Sequence, residues 1–338
     1  MFWKKYESPA RGETLCIRRY NELDSLRGFA AFSVLLSHFW ATIPSFPSWV
    51  TTLLCGPLCI FVAGHEGVVF FFVLSGFVLA LPFLGEEAPS YWGYLVKRVL
   101  RIYSPFLFAV GGAMFFRELL YNGPVDGVNE WFNRSWQEPV TWRVVITQLM
   151  LIGPGLHNEY DPVIWSLFHE MRISIIFPML VFMVRVRGKM SAIFGVSLTL
   201  FCGVLIYLNS LHVLNVPNFI HTIQYIGAFI CGALLAKHRN ELIHLFAEKN
   251  RGWKYLLIVV SVFLYTNSQW LPQIMHVVDA RAGVLFDQIV LQEFMTMMGV
   301  AIMIIASLST EKISMFLALK PFKFLGSISY SLYLYQMT

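Results

Sequence analysis

Charged residues are scarce in this sequence. Asp, Glu, Lys and Arg make up 13% of its 338 residues and hydrophobic residues 57%, whereas about 25% of an average soluble globular chain is charged. The mean hydropathy is +0.62. This composition excludes a water-soluble globular domain as the main body of the chain and predicts an integral membrane domain.

Cysteines are also few, and the five present do not predict a disulfide framework in a chain of 338 residues. Cys55 and Cys59 lie close to His65 in sequence and could bind a metal with it. The same spacing also fits two small apolar residues on a buried turn. We therefore expect no metal site.

The formal net charge is only +5, and the basic residues lie between apolar runs rather than along one stripe. Nucleic acid is therefore not an expected partner. The first apolar run follows about two dozen polar residues and lacks a small-residue cleavage pattern, so no removable signal peptide is expected. That run should remain in the membrane as a signal anchor.

Apolar runs recur along nearly the whole chain, and several reach the length that a hydrocarbon layer about 30 Å thick requires. They predict an all-α, multi-pass bundle of about nine to ten spans. The basic clusters fall on one side of this bundle, which places the N-terminus in the cytoplasm. The expected spans lie near 27–44, 60–83, 102–117, 163–184, 191–209, 219–236, 255–271, 285–308 and 323–338.

Two units follow from these spans: a cytoplasmic N-terminal segment, 1–26, and a membrane domain, 27–338. The segment 118–142 carries carboxylates and tryptophans and is expected to be an outward loop at the membrane surface. Segment 144–152 is too short to span and is interpreted as a re-entrant or interfacial helix. The last span, 323–338, rises only about 24 Å as a helix, so it is either short or continues beyond this sequence.

Ionisable side chains within apolar runs are the informative positions, because each needs a partner or a function there. His38 follows Arg27 by eleven residues, which is within about 20° of three helical turns and a rise of about 16 Å. The two side chains should share one helix face, with Asp24 near the arginine. A buried neutral imidazole can act as a general base. The alternative is an arginine anchor and a structural histidine.

A second group interrupts the apolar run 162–178, where His169, Glu170 and Arg172 occur together. The carboxylate should pair with an arginine or orient an imidazole of another helix. A purely structural pair of Glu170 with Arg172 is the alternative, but residues two apart do not face each other on a helix.

A third group combines small residues with a basic cluster. Gly67, Ser75 and Gly76 permit close backbone approach, and a cationic turn follows them. That turn would suit the phosphates of an acyl-CoA at the cytoplasmic surface, although it is also typical of a positive-inside anchor. Its basic residues are Lys97, Arg98 and Arg101.

Taken together, these stretches resemble the acyltransferase 3 family of membrane acyltransferases, which includes O-antigen and other surface-polysaccharide acetylases. The segments occur in the family's order and sample most of the chain. They are LDSLRGFAAFSVLLSHF, GVVFFFVLSGFVL, KRVLRIYSP, PVIWSLFHEMRISIIFP and LGSISYSLYLY.

The resemblance implies transfer of an acyl group, usually acetyl, from cytoplasmic acyl-CoA to a hydroxyl of a glycan or lipid-linked saccharide. Acyl-CoA would be the donor substrate, with no further cofactor, and a bacterial inner membrane the expected location. The family's motif positions fall on seven residues: Arg27 and His38, Trp165, Ser166 and Glu170, and Arg98 and Arg101.

The chain also departs from the family pattern. The acidic residue that often follows the glycine-valine of the second motif is Val69 here, with Glu66 nearby. The histidine common at the end of the closing motif is Gln336, and His169 adds a second imidazole beside Glu170.

The sequence therefore predicts an O-acyltransferase in which His38 deprotonates the acceptor or carries the acyl group, as general-base or nucleophilic catalysis allows. Arg27 and Glu170 complete the expected catalytic set. Six residues are expected to bind substrates: Lys97, Arg98, Arg101, Ser75, Trp165 and His169. A proton-coupled transporter or flippase is the alternative, but no internal repeat supports it. A receptor or scaffold would leave the buried ionisable residues unexplained.

Overall fold

A computed structural model gives the fold of the chain. It describes residues 20–56, 58–151, 160–185, 190–210, 219–278 and 288–337, although the side chains of 210, 273–278, 288 and 289 are not included. Within these ranges every regular element is a helix and no strand occurs. The predicted all-α class is thus confirmed, while most of the predicted segment 1–26 lies outside the described residues.

Fourteen α-helices and one 3₁₀ helix, Cys59–Phe61, follow one another in the described ranges. The α-helices are α1 (Asn21–Thr42), α2 (Ser48–Leu54), α3 (Gly64–Leu84), α4 (Tyr91–Leu120), α5 (Glu130–Asn133), α6 (Trp142–Leu149), α7 (Ile164–Val184), α8 (Met190–Ser210), α9 (Ile220–Glu248), α10 (Arg251–Tyr265), α11 (Asn267–Val278), α12 (Gln288–Ser309), α13 (Glu311–Leu317) and α14 (Lys320–Tyr335).

Six of these helices contain a segment long and apolar enough to cross a membrane, and they are α3, α4, α7, α8, α9 and α12. The predicted number of about nine to ten spans is therefore not confirmed. Helix α1 carries Glu22, Asp24 and Arg27 near its start, and α10 and α14 have 15 and 16 residues. The charged residues of α1 and the short lengths of α10 and α14 distinguish these three helices from the other six.

The ambiguous apolar segment after residue 142 forms the short helix α6. Its eight residues rise about 12 Å, which is far less than the thickness of a bilayer core. Trp142 and Ile146 are exposed on it. This geometry agrees with the interpretation of the segment as an interfacial helix.

The basic cluster lies inside a helix, where the sequence predicted a turn before a span starting at 102. Ser90 caps α4 by accepting a hydrogen bond from the Gly93 N–H, and the helix continues through Pro105 for 30 residues. Lys97, Arg98 and Arg101 therefore project from little more than one turn of the same helix. The helix begins early because an N-cap residue precedes it.

Helix α3 lies at the centre of the bundle and packs against α1, α7, α9 and α12. Its contact with α9 depends on two glycines. A methyl group at Gly76 would overlap the backbone of Phe229, and one at Gly232 would overlap the backbone of Val73. Small residues of this kind let two membrane helices approach closely.

Helix α1 packs between α3 and α14. Gly67 of α3 sits against Ala30 and Val34, where an added methyl would lie 2.8 Å from a Val34 methyl group. Gly28 of α1 meets the backbone of Gly326 in α14. These small residues let α1 approach both neighbours closely, and the closing motif therefore lies against the Arg27 end of the helix.

We expect Gly76→Ala to lower the thermal unfolding midpoint in detergent, because overpacking a tight contact costs about 1–3 kcal/mol. Gly111→Ala is the matched control, since nothing lies within 4 Å of the added methyl and alanine favours a helix by about 1 kcal/mol. Equal midpoints for the two variants would show that the α3–α9 contact is looser than described.

Candidate active site between α1, α3, α4, α7 and α14

Two adjoining cavities lie within the bundle, and both are lined by Val68 and Tyr333. The first, here called the arginine cavity, has a volume of about 80 Å³ and is lined by Arg27, Ser75, Arg98, Arg101 and Glu170. The second, the histidine cavity, has a volume of about 380 Å³ and is lined by His38, His65, Glu66, Trp131 and Trp165. Most of the predicted site residues therefore line one of two neighbouring spaces.

Glu170 and Arg98 form the central ion pair of the arginine cavity. An Arg98 N–H donates to the Glu170 carboxylate, and Arg98 Nε donates to Ser174 Oγ at 3.0 Å. Ser75 donates to the same carboxylate at 3.1 Å. The expected arginine partner of Glu170 is thus Arg98 rather than Arg172, and the carboxylate faces the basic helix rather than His38.

Arg27 lines the same cavity from α1. Its Nε donates to Ser329 Oγ at 2.8 Å, and Asp24 lies 3.2 Å from the guanidinium. Arg101 is exposed at its position on α4 but also lines the cavity. Lys97 is exposed and outside the lining, so it is placed to meet only the outer part of a bound ligand.

Tyr333 stands between the two cavities. Its hydroxyl and Ser166 Oγ are 2.7 Å apart, and both groups are buried. Ser166 lines the arginine cavity, whereas its chain neighbour Trp165 lines the histidine cavity. The tryptophan-serine-glutamate motif therefore spans the boundary between the two spaces.

His38 occupies the histidine cavity at the far end of α1 from Arg27. Its ring stacks on Trp131 of α5, with centroids 5.3 Å apart and planes at 25°. The Gln336 side chain is its polar neighbour, yet His38 Nδ1 and Gln336 Oε1 are buried without a well-formed hydrogen bond in the described structure. This imidazole is therefore positioned by the stacking on Trp131 and by the neighbouring Gln336 side chain, and it lines the cavity.

A second imidazole, His65 of α3, was missed as a site residue. Its Nε2 lies 2.6 Å from Glu293 Oε1 of α12, and its ring is parallel to Trp165, 6.4 Å away. Adjacent Glu66 is buried and accepts a hydrogen bond from Ser268. The available signal was the lone carboxylate Glu293 within an apolar run.

From the sequence, the only role considered for His65 is that of a metal ligand together with Cys55 and Cys59. Those two cysteines are free thiols, and Cys55 is exposed. Within the described ranges, no three His, Cys, Asp or Glu side chains form a group that can hold a metal ion. The structure joins His65 to Glu293 instead.

His169 does not line either cavity. It is buried against α9, with Nδ1 2.8 Å from Thr222 Oγ1, and Arg172 donates to the same hydroxyl at 3.1 Å. Consecutive helix residues point about 100° apart, so Glu170 and His169 face different neighbours. A substrate-binding role for His169 stays a prediction.

Asp161 lies in the segment that leads into α7 and is completely buried. Its Oδ1 accepts a hydrogen bond from the Val163 N–H at 3.1 Å, but its Oδ2 has no partner among the described residues. Burial raises the pKa of Asp161 from 3.8 to about 7. Between these two pH values the carboxyl is ionised in the unfolded chain and protonated in the folded one.

Folding stability should therefore fall as pH rises from about 4 to 7, because only the unfolded state gains the charge in that window. Asp161→Asn should flatten this dependence and raise the unfolding midpoint more at pH 8 than at pH 5. Thermal unfolding at both pH values, with exposed Asp126→Asn as the control, measures it. A pH slope identical in all three proteins would contradict the assignment.

A bundle of membrane-length helices that holds imidazole and guanidinium groups in adjoining cavities has the architecture of a membrane-embedded enzyme. The chain belongs to the acyltransferase 3 family, whose acyltransferase domain matches residues 20–338. It is therefore an integral membrane protein of an O-acyltransferase family, as its motifs indicated.

Nodulation protein 10 of Rhizobium leguminosarum bv. viciae is similar to the chain, at 31% identity over 171 residues. The matched part covers 47% of this chain and 44% of that protein, so it spans less than half of the relative. No solved structure matches the chain.

Proposed function

We propose that the protein transfers an acyl group, most often acetyl, from acyl-CoA to a hydroxyl of a cell-surface glycan or lipid-linked saccharide. One observation carries this proposal. The cationic arginine cavity and the imidazole-lined histidine cavity adjoin each other through Val68 and Tyr333. A thioester in the arginine cavity and a hydroxyl in the histidine cavity would meet beside Val68 and Tyr333, where the two cavities adjoin.

The donor side is the arginine cavity. Guanidinium groups bind phosphate oxygens through paired, charge-assisted hydrogen bonds. Arg98 is neutralised by Glu170, so exposed Arg101 and Lys97 are the groups that would take the phosphates of CoA. The cavity volume of about 80 Å³ suits a short acyl group and its thioester rather than a long chain.

The acceptor side is the histidine cavity, which is larger and has three tryptophans in its lining, Trp40, Trp131 and Trp165. Aromatic faces offer a broad apolar surface next to polar groups, which suits a sugar ring. His38 would either remove the hydroxyl proton or accept the acyl group on its imidazole before passing it on. Arg27 would hold the donor at the opposite end of the same helix.

The topology we propose includes α1, α10 and α14 as spans, giving about nine in all. Helix α1 packs against α3 and α14, and α10 packs against α12, so all three share the bundle. The positive-inside rule then places the N-terminus and the basic cluster of α4 in the cytoplasm. The unit 27–338 would form the membrane domain, in the inner membrane of a bacterium.

A donor assay tests this proposal. Purified protein would receive radiolabelled acetyl-CoA or palmitoyl-CoA, together with a panel of methyl glycosides as hydroxyl acceptors. The expected result is labelled ester product with acetyl-CoA and far less with palmitoyl-CoA. Absence of transfer from both donors to every acceptor, with folded protein, would overturn the acyltransferase assignment.

A further inference from the structure

We infer that His65, held by Glu293, is a second catalytic group of the histidine cavity and removes the proton from the acceptor hydroxyl. This inference rests on the proposed function and specifies the chemistry of the acceptor half of the same site. Its starting observation is the contact of 2.6 Å between His65 Nε2 and Glu293 Oε1.

The pair is asymmetric in exposure. The Glu293 side chain is 5% exposed, whereas that of His65 is 49% exposed, and His65 lines the histidine cavity while Glu293 does not. A pair whose only role was to join α3 to α12 would not need an imidazole that is exposed to a cavity. A buried carboxylate behind an accessible imidazole is the arrangement that orients a general base.

The hydrogen bond also sets which ring nitrogen is available. An ionised carboxylate only accepts hydrogen bonds, so His65 Nε2 carries the proton and donates it to Glu293. In the neutral form of the ring, which is the form that can act as a base, His65 Nδ1 is then the nitrogen with a lone pair for a ligand. Trp165 lies nearly parallel to the ring, with the two centroids 6.4 Å apart.

The cavity contains a second imidazole with a different environment. His38 is stacked on Trp131 and has no carboxylate partner among its contacts in the described structure. A carboxylate stabilises the imidazolium that forms when a base accepts a proton. His65 is therefore better equipped than His38 to take a proton, and His38 is left to act on the thioester carbonyl.

As the acceptor oxygen bonds to the acyl carbonyl carbon, its proton moves to His65 Nδ1 and gives an imidazolium paired with Glu293. The bond from the carbonyl carbon to its leaving group then breaks. That group is the CoA sulfur in direct transfer or the His38 nitrogen in a covalent route. The proton on His65 finally passes to the departing group, which restores the neutral imidazole.

Hydroxylamine separates this role from a structural one, because it attacks acyl groups as an uncharged nucleophile without needing a base first. With methyl glycosides as acceptors, His65→Ala should reduce acetyl transfer from acetyl-CoA by about 100-fold or more. With hydroxylamine, the same variant should stay within a few-fold of the unmodified protein. Glu293→Gln should lower kcat for the glycosides by about 10-fold or more while leaving KM for acetyl-CoA unchanged.

His238→Ala is the matched control, because it removes an imidazole from another histidine–carboxylate pair, His238 with Glu241, that lies outside both cavities. It should transfer at the unmodified rate. Equal losses with glycosides and hydroxylamine in His65→Ala, or no loss with either, would overturn the inference. If the unmodified protein transfers to neither acceptor, the proposed function itself has failed.

Discussion

Replacing His38 with alanine is expected to lower acyl transfer by about 10³-fold or more, with both hydroxyl and hydroxylamine acceptors. His38 lines the histidine cavity and its Nδ1 is buried without a well-formed hydrogen bond in the described structure. A structural histidine of a buried helix would satisfy that atom. His38 instead has only the Gln336 side chain as a polar neighbour, and its ring lines the cavity in which we propose that the substrates meet.

The measurement is a steady-state rate with radiolabelled acetyl-CoA, accompanied by the unfolding midpoint of each variant. His38→Gln keeps polarity and much of the volume of the side chain but cannot act as a base or nucleophile, so it should be as inactive as His38→Ala. His244→Ala removes an exposed imidazole paired with Glu248 and should remain fully active. A His38→Gln variant with more than a tenth of the original rate would contradict the role of His38.

The second large effect concerns the pair of Arg98 and Glu170. Their side chains are only 7% and 17% exposed. Removing one partner of such a pair leaves an uncompensated charge and costs about 3–5 kcal/mol. Glu170→Ala and Arg98→Ala should each lower the unfolding midpoint strongly.

A double variant separates stability from donor binding. Arg98→Met with Glu170→Leu removes both charges and fills similar volume, which is often neutral or stabilising for a buried pair. We expect it to recover most of the midpoint but not the activity, because the donor cavity has lost its polar groups. Recovery of both the unfolding midpoint and the activity would show that the pair holds α4 against α7 and has no role in donor binding.

Exposed Arg134→Ala is the control for these variants, since it breaks a surface pair with Glu130. Such exposed ion pairs contribute about 0–1 kcal/mol to the free energy of unfolding. Its midpoint and its rate should match those of the unmodified protein.

Much of the first helix could be predicted from the sequence, because a helix has a fixed period. The spacing of Arg27 and His38 placed them on one face about 16 Å apart, and the structure puts one in each of two adjoining cavities. Gly67 was predicted to permit close backbone approach, and it packs against Ala30 and Val34 of α1. An arginine partner for Glu170 was one of two arrangements predicted from the cost of a buried charge, the other being an imidazole of another helix, and the partner in the structure is Arg98.

The remaining parts of the site depend on contacts that local sequence does not encode. His65 and Glu293 are 228 positions apart, and only the packing of α12 against α3 brings them together. Trp131 reaches His38 from a loop helix. Glu170 and His169 are neighbours in sequence, so no pattern decided which of them would face the cavities. Helices α10 and α14 were predicted as spans from hydropathy, although their lengths alone do not establish this.

The central claim is that donor and acceptor reach one reaction point from two adjoining cavities, one lined by Arg27 and the other by His38 toward the opposite end of α1. Sealed proteoliposomes of uniform orientation test it directly, with radiolabelled acetyl-CoA and a membrane-impermeant methyl glycoside on chosen sides. We predict labelled ester only when acetyl-CoA is on the side of Lys97 and Arg101 and the glycoside is on the other side. Equal product with both substrates on the same side would contradict the account.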